Sequence, residues 1–593
     1  MIIELLLAPG LAYAAWTLIC LEINVRKARA MGVPVVRLPV DYNNVLWVVF
    51  APFLFKFLDR LPFEWASYPN FFRLSRRGYH FYEGSKPFER LGPVWAQVTP
   101  VNICLHFADP EAAAEIFARR RDFLRPVEEY MLLEVFGPSL STAGSEDWPR
   151  HRKVLAAPFM NESIMSLVWD ESIRQAGAMV KSWTGAGRDG VVSIQKDTRT
   201  LSLNVLASIA LRKSFSFHGS SDPAQDGGVV TEANIYRDSL QTVLDNIILL
   251  MLVPYRFLSN RWMPKSWQKV GRASLAFQNY MKTTIERETE LVTGTQGKPT
   301  SSAGLLTGFV HALETHKREA AAAASKPQQH GEKRGMSMDE VMGNFFIINF
   351  AGHDTTANTL AFAVLALVAN PEIQDWVAEE INAVVGGVTS EREWDYSEIY
   401  PKLKRCRAVM LETLRLYPPV NGIPKVNKTA QSLRVGDKNR FTIQPGVKET
   451  ISLYAIHVHP AYWGPEPKKW NPKRWIVDPA SKSASSSHAS NLKELEDQLA
   501  GEELYVPDRL IYFPWSEGPM SCPGKKFSEV EFAATVACVL RSHRLSVKLD
   551  TAKAGETQDM TRKLVDKVMN DVNSELLLRM TNADRVRVVC TSA

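Results

Sequence analysis

Phe513-Pro-Trp515-Ser-Glu-Gly518-Pro-Met520-Ser-Cys522-Pro-Gly524-Lys-Lys-Phe527 places one cysteine in a Gly/Pro-rich loop directly ahead of an amphipathic helix. After it, Phe527, Val530, Phe532, Ala533, Val536, Ala537 and Leu540 recur at helical spacing. The first turn of such a helix leaves backbone N–H groups free and carries the positive end of the helix dipole. Both favour an anion, so the loop predicts a thiol of lowered pKa at Cys522. Gly518 and Gly524 lack a Cβ and would let the backbone approach a flat ligand closely. A thiolate beside a flat ligand suits axial ligation of haem iron. A buried cysteine near a turn is the competing reading of the loop taken alone.

Three further patterns lie upstream. Ala351-Gly352-His353-Asp354-Thr355-Thr356 falls midway along an apolar segment from Ser337 to Asn370, with a capping-box pattern at Ser337 and Glu340 and a stop at Pro371. About 33 helical residues would span roughly 50 Å, enough to cross a domain. A glycine, an acid and two hydroxyls in so apolar a helix are costly to bury without purpose, and a local opening there would make room for dioxygen and a water. Glu412 and Arg415, at i and i+3, share one face of an apolar helix closed by Tyr417-Pro418-Pro419. Trp148 and Arg152, four apart, likewise share a face and offer one donor each to an anionic edge.

Together these motifs resemble the cytochrome P450 family of haem-thiolate monooxygenases, in particular its fungal membrane-bound members. Trp515, Gly518, Cys522 and Gly524 match the family's haem loop, while Met520 stands where a basic residue is usual. The resemblance implies that Cys522 is the axial ligand of haem b and that Asp354 and Thr355 relay protons during oxygen activation. It implies that Trp148 and Arg152 reach the haem propionates, joined by Lys425 where relatives place an arginine. With Met520 neutral, the second propionate's partner is left open, His151 being one candidate. It also implies a structural triad of Glu412, Arg415 and Arg474, although Lys473 and Trp475 replace the usual Glu and Phe beside Arg474.

The chain has 593 residues, 45% hydrophobic and 10% aromatic, ample for a large core. A net charge of +6 without clustered basic stripes argues against nucleic acid as a partner. The six cysteines show no paired or metal-type spacing, which fits a reducing compartment. Leu5 to Leu21 is a 17-residue uncharged run followed by Arg26, Lys27 and Arg29. It predicts a transmembrane anchor over 1–25 with the rest of the chain in the cytosol, a cleaved signal peptide being the competing reading. Residues 26–60 read as a hinge, at Pro34 and Pro39, followed by an apolar stretch from Leu46 to Phe57 that dips into the membrane surface. Residues 61–593 read as one catalytic domain, with insertions near 314–336, 481–500 and 551–574. Helical periodicity dominates, with short β-like pieces at Val94–Cys104, Ser432–Ile443 and a final strand pair at Leu545–Leu549 and Val586–Val589. The fold class is mainly α with small β-sheets, an α+β arrangement.

The resulting expectation is a monooxygenase of the endoplasmic reticulum that inserts one atom of O2 into a lipophilic substrate, in secondary-metabolite biosynthesis. No flavin or nicotinamide glycine fingerprint is present, so electrons would come from an NADPH-cytochrome reductase, with Lys525 and Lys526 near its docking face. Phe123–Ser145, Phe346–Phe350 and Val420–Ile423 would contact substrate, with Asn349 and Asn421 as polar handles. A haem-thiolate isomerase or dehydratase of the same fold, and a catalytically silent haem-binding membrane protein, are the alternatives.

Overall fold

Ser337 opens the helix that organises the protein. Its hydroxyl accepts from Glu340 N at 3.2 Å and its own N–H donates to Glu340 Oε2 at 2.7 Å, a complete capping box. The helix then runs from Met338 to Ala369 and hands over at Asn370 to Pro371–Val385. Proline suits a first helical position because its missing N–H has no partner there anyway. At 32 residues it is about 48 Å long and is buried along almost its whole length. The opening expected at Ala351–Thr356 is absent: the helix is continuous α-helix, and Thr355 and Thr359 hydroxyls donate to the carbonyls four residues back, both at 2.9 Å.

This computed structural model describes residues 2–593 apart from 42–43, 222–231, 295–303, 326–333, 387, 389, 391–392, 437–438, 478–491, 508, 549–556 and 575. Against the long helix pack Ile194–Leu211 and the post-cysteine helix Lys525–Leu540, and Glu162–Gly185 packs in turn on those two. Their shared core includes Trp169, Trp183, Leu206, Phe362 and Phe532. Eight strands lie to one side: β1 Val35–Arg37, β2 Val94–Val98, β3 Ile103–Phe107, β4 Phe123–Leu124, β5 Ile423–Asn427, β6 Gln431–Val435, β7 Asn439–Ile443 and β8 Lys448–Ile451. Six form one sheet in the order β1-β2-β3-β8-β5-β4, and β6 and β7 pair as a hairpin. The last strands, His543–Val547 and Val588–Ser592, pair antiparallel with Leu545 opposite Cys590.

Several boundaries differ from those read in the sequence. The first helix extends from Ile2 to Ala30, and its last turns bury Leu21, Val25 and Ala28 against the sheet, where Asn24 Nδ2 donates to Thr99 O and Pro100 O. Among the described residues no single helix is long and apolar enough to cross a membrane. Pro34 and Pro39 do not form a hinge: they bracket β1, which pairs parallel with β2. The segment read as a loop from Glu314 is helical to Ser325, after which 326–333 lies outside the described residues. The serine-rich stretch 481–490 lies outside them too, and Leu492–Gly501 is helical. Of the 551–574 segment, Thr557–Asn570 is an amphipathic helix that buries Val565, Val568 and Met569 in the main core. Polar residues on its outer face disguise it as an insertion.

Glu412, fully buried, holds the core beneath the cysteine loop. Its two oxygens accept five hydrogen bonds: two from Arg415 at 2.9 Å each, one from Arg474 Nε at 3.0 Å, one from Asn471 N at 2.9 Å and one from Trp475 Nε1 at 2.9 Å. Arg415 in turn donates to His457 O and Pro467 O and lies over the Trp463 ring. Trp475 in place of the family's phenylalanine thus adds a donor, and Lys473 in place of glutamate sits over Trp376. Glu412→Ala would strand the buried Arg415 charge, which costs about 3–5 kcal/mol, enough to abolish soluble folded protein in an expression assay. Trp475→Phe removes one charge-assisted bond and should cost about 1.5–3 kcal/mol in chemical denaturation, with the fold retained.

Candidate active site

Cys522 N–H donates to Trp515 O at 2.8 Å, closing the loop on itself, and Trp515 Nε1 donates to Ser528 Oγ on the following helix at 3.2 Å. Gly518 adopts φ +71°, and a Cβ there would come within 3.1 Å of Phe117 O, so the turn requires glycine. Gly524 is the residue before the helix, and its amide faces the sulfur. The side chain of Cys522 is exposed where it opens onto a cavity. Burial pushes the thiol up, against the Gly524 amide and the Arg152 guanidinium, which pull it down. The lowered pKa expected from the loop is therefore not a property of the loop alone, because desolvation outweighs the helix N-terminus.

The cavity holds about 410 Å³ and is predominantly apolar. The long helix contributes Ile347, Ile348, Phe350, Ala351, Gly352, Thr355, Thr356 and Thr359, and the cysteine loop contributes Trp515, Met520, Cys522 and Gly524. Leu206, Val420, Ile423, Leu453 and Phe527 complete the apolar wall. Gly352 permits the long helix to lie against Leu206, whose Cδ would be 3.1 Å from an added Cβ. Of the expected polar handles, Asn349 is turned away and bound to Tyr236, and Asn421 donates to Ser574; neither lines the cavity.

The cavity's basic rim combines expected and unexpected residues. Trp148 and Arg152 both line it, with Arg152 Nη1 donating to Ser521 O at 2.6 Å. Arg125 joins them, its Nη1 donating to Leu140 O at 2.8 Å and Ser141 O at 3.0 Å. Burial lowers the pKa of both arginines, because it disfavours the charged guanidinium. Sequence reasoning missed Arg125; the signal was an arginine beside Pro126 in the stretch already assigned to substrate contact. His151 is excluded as a rim residue, because its ring faces Asn344 at 2.9 Å and Glu340 at 3.4 Å. Lys425 is buried next to Arg125, with its ammonium 5.7 Å from the Phe117 ring centroid, behind the rim rather than on it. A thiol, a wall of apolar side chains, close backbone at Gly524 and two arginines at one edge fit a flat macrocycle with anionic substituents.

Asp354 does not face this cavity. Its carboxylate is gripped by Arg199, Nε to Oδ1 at 2.7 Å and Nη2 to Oδ2 at 3.1 Å, and lies in a separate polar cleft with Gln195, Asn358 and Arg579. Burial raises its pKa, but His353 and Arg199 together outweigh burial and hold the carboxyl below its ordinary range. Arg199 also reaches Asp245 at 3.5 Å. Helical phase explains the separation. Ala351, Gly352, Thr355, Thr356 and Thr359 form one stripe toward the cavity, and Asp354 is about 100° of rotation away from Thr355. Lys526 is also committed, 3.9 Å from Glu162 and over the Tyr400 ring, while Lys525 lies over Trp515.

A thiol opening on an apolar cavity beneath a threonine-bearing helix, with an arginine rim, is an arrangement that suits the haem-thiolate class of protein. Comparison with known proteins agrees. The family model for cytochrome P450 matches residues 68–567, and the chain belongs to that family. It is a P450 monooxygenase, and fungal P450 monooxygenases are among the proteins it resembles along most of its length. A cytochrome P450 monooxygenase of Arthrobotrys oligospora is 27% identical over 551 residues, covering 91% of this chain and 89% of the relative. The phomenoic acid biosynthesis cluster P450 monooxygenase of Leptosphaeria maculans is 27% identical over 582 residues, covering 92% and 91%. The fold matches the crystal structure of a cytochrome P450, CYP102L1, with a TM-score of 0.59 over 86% of this chain and 96% of that one, at 15% identity. A zebrafish P450 solved with abiraterone gives 0.58 over 87% and 99%, at 16% identity.

Arg199→Met would leave the Asp354 carboxylate buried without its guanidinium and should cost roughly 3 kcal/mol of stability in a denaturant titration. Thr355→Ala, which loses only a hydroxyl bound to its own helix, should cost less than about 1 kcal/mol in the same titration.

Proposed function

We propose that Cys522 ligates haem b and that the enzyme oxygenates a lipophilic substrate in the cavity above it. The observation that carries this reading is the Cys522 thiol opening on the same cavity as Thr355, with Arg125 and Arg152 at its rim. Bound there, haem would supply activation of dioxygen at a thiolate-ligated iron. The chain's own residues do the rest. Arg125, Arg152 and Trp148 orient the anionic edge, and Gly352 leaves room beside Leu206. Thr355, whose hydroxyl now donates to Ala351 O, holds a proton where the long helix meets the cavity. Asp354 supplies protons only by leaving Arg199, because its carboxylate is turned into the solvent-facing cleft.

The apolar walls suit a lipophilic substrate, and Ser141 and Thr356 offer hydrogen bonds to a polar group on it. The Leptosphaeria relative's place in a biosynthetic cluster favours a secondary-metabolite substrate over general detoxification. Electrons would come from an NADPH-cytochrome reductase. Membrane attachment at the endoplasmic reticulum, with the catalytic domain in the cytosol, is supported by exposed apolar residues on the first two helices. Leu11, Trp16, Leu18 and Ile19 lie on one; Leu46, Phe50, Phe53 and Phe57 lie on Val45–Leu58.

Reduced, carbon-monoxide-treated membranes should show a strongly red-shifted haem band with the wild type and none with Cys522→Ala. Product formation that continues without NADPH would instead identify an isomerase or dehydratase, and a haem-loaded wild type lacking the shifted band would refute thiolate ligation.

A further inference from the structure

Behind the basic rim lies a second pair of ionisable groups that the reaction does not use. Lys425 on β5 and Glu449 on β8 are direct cross-strand partners in the central sheet. Side chains opposite one another on antiparallel strands leave the same face about 5 Å apart. Glu449 is 0% exposed and Lys425 5%. Neither oxygen of Glu449 has a hydrogen-bond partner among the described residues, and no ion pair joins it to Lys425 within 4.0 Å. The ammonium points instead toward Phe117 and Arg125.

An ionised carboxylate with no donor from any other residue and no contacting cation is expensive in such surroundings, costing several kcal/mol. A neutral carboxylic acid is not. The neighbouring charges do not alter this balance. On β5 only Lys425 faces Glu449, and Arg125, on the segment before Val127–Tyr130, lies beyond Lys425. On β3 Cys104 is itself pushed up to about 12 by burial, and on the other pleat of β8 Lys448 is spent on Glu129. Helix Pro110–Ala118 brings the Phe117 ring, while its Glu115 is paired with Arg119 and its Glu111 with Arg509.

We propose that Glu449 is a protonated acid at neutral pH, so that Lys425 adds positive charge behind Arg125 and Arg152, and that loss of the Glu449 proton loosens the site's hold on the anionic edge of its cofactor. The proposal rests on the haem reading above and deepens it. Burial pushes Glu449 up to about 8, opposed by its backbone and by Lys425. Burial and Arg125 bring Lys425 down to about 8, opposed by Glu449. Below that pH the pair carries one positive charge; above it, with a neutral amine and a carboxylate, it carries one negative charge. Grip on an anion is therefore strongest on the acid side and is lost as pH rises through about 8. The glutamate also accounts for the lysine. A guanidinium cannot lose its proton in this range, so an arginine would have fixed the charge that the lysine leaves adjustable.

The test is haem loss from the ferric holoenzyme to a haem-scavenging apoglobin, followed optically between pH 6.5 and 9. The wild type's carbon-monoxide spectrum is recorded first, so that failure of the haem reading is recognised separately. Wild-type loss should accelerate about tenfold over the range, the effect of one pKa unit of differential interaction. Glu449→Gln should make that dependence clearly shallower, because only Lys425 then titrates, while leaving the rate at pH 6.5 close to wild type. Should that variant not accumulate, Lys425→Arg decides: a shallower pH dependence than wild type supports the proposal. The same pH dependence in wild type and Glu449→Gln, or in wild type and Lys425→Arg where only that variant is stable, overturns it.

Discussion

The carboxylate of Glu412 is the constraint on which the cysteine side of the molecule depends. It gathers donors from its own helix, from the Lys469–Trp475 connection and from the indole of Trp475, and through Arg415 it reaches the backbone at His457 and Pro467. His457 then accepts from Phe513 N at the start of the cysteine loop, at 3.1 Å. A chain of hydrogen bonds therefore leads from one buried anion to the loop that presents Cys522. Such a network is strong only when complete, because every member left unpaired in a low-dielectric core costs more than its bond contributed. That explains how a loop rich in glycine and proline can hold a thiol in place.

The cavity itself is made where the long helix, Trp148–Phe159, Ile194–Leu211, Lys404–Leu416 and Lys525–Leu540 meet β5 and the cysteine loop, and its two functions are kept at different positions of the same elements. On the long helix, the stripe of Gly352, Thr355, Thr356 and Thr359 serves the cavity, while Asp354 serves the polar cleft through Arg199. On the sheet, β5 turns Ile423 to the cavity, and Lys425, two residues on, lies behind the rim beside Glu449. Apolar binding and charge management are thus adjacent but separated by one layer of side chains. The low dielectric that favours a lipophilic substrate also makes the charges behind it unusually sensitive to pH.

Much of this was legible in order of locality. The capping box at Ser337, the stop at Pro371 and the i, i+3 pair at Glu412 are written within single turns, and the structure forms each of them. Arg474 sits 62 residues from Glu412, yet only the family resemblance, not spacing, pointed to it. The helical stripe that turns Asp354 away was also present in the sequence, since positions 351, 352, 355, 356 and 359 form a single face; the acid next to a threonine obscured it. Glu449 carried no local mark and Arg125 only its place beside Pro126, because their meaning comes from strands and loops far apart in the chain.

By itself the sequence determined the loop that offers a cysteine to a flat ligand, the long helix with its polar centre, the salt-bridged helix behind the loop and the helix-rich class of the fold. These follow from periodicity, capping and turn chemistry, which act over a few residues. Only tertiary structure decided which way those residues face: Thr355 to the cavity and Asp354 to Arg199, Arg125 to the cavity rim, and Glu449 opposite Lys425 across two strands. Direction is set by packing between distant segments, and burial then fixes the charge each group can carry.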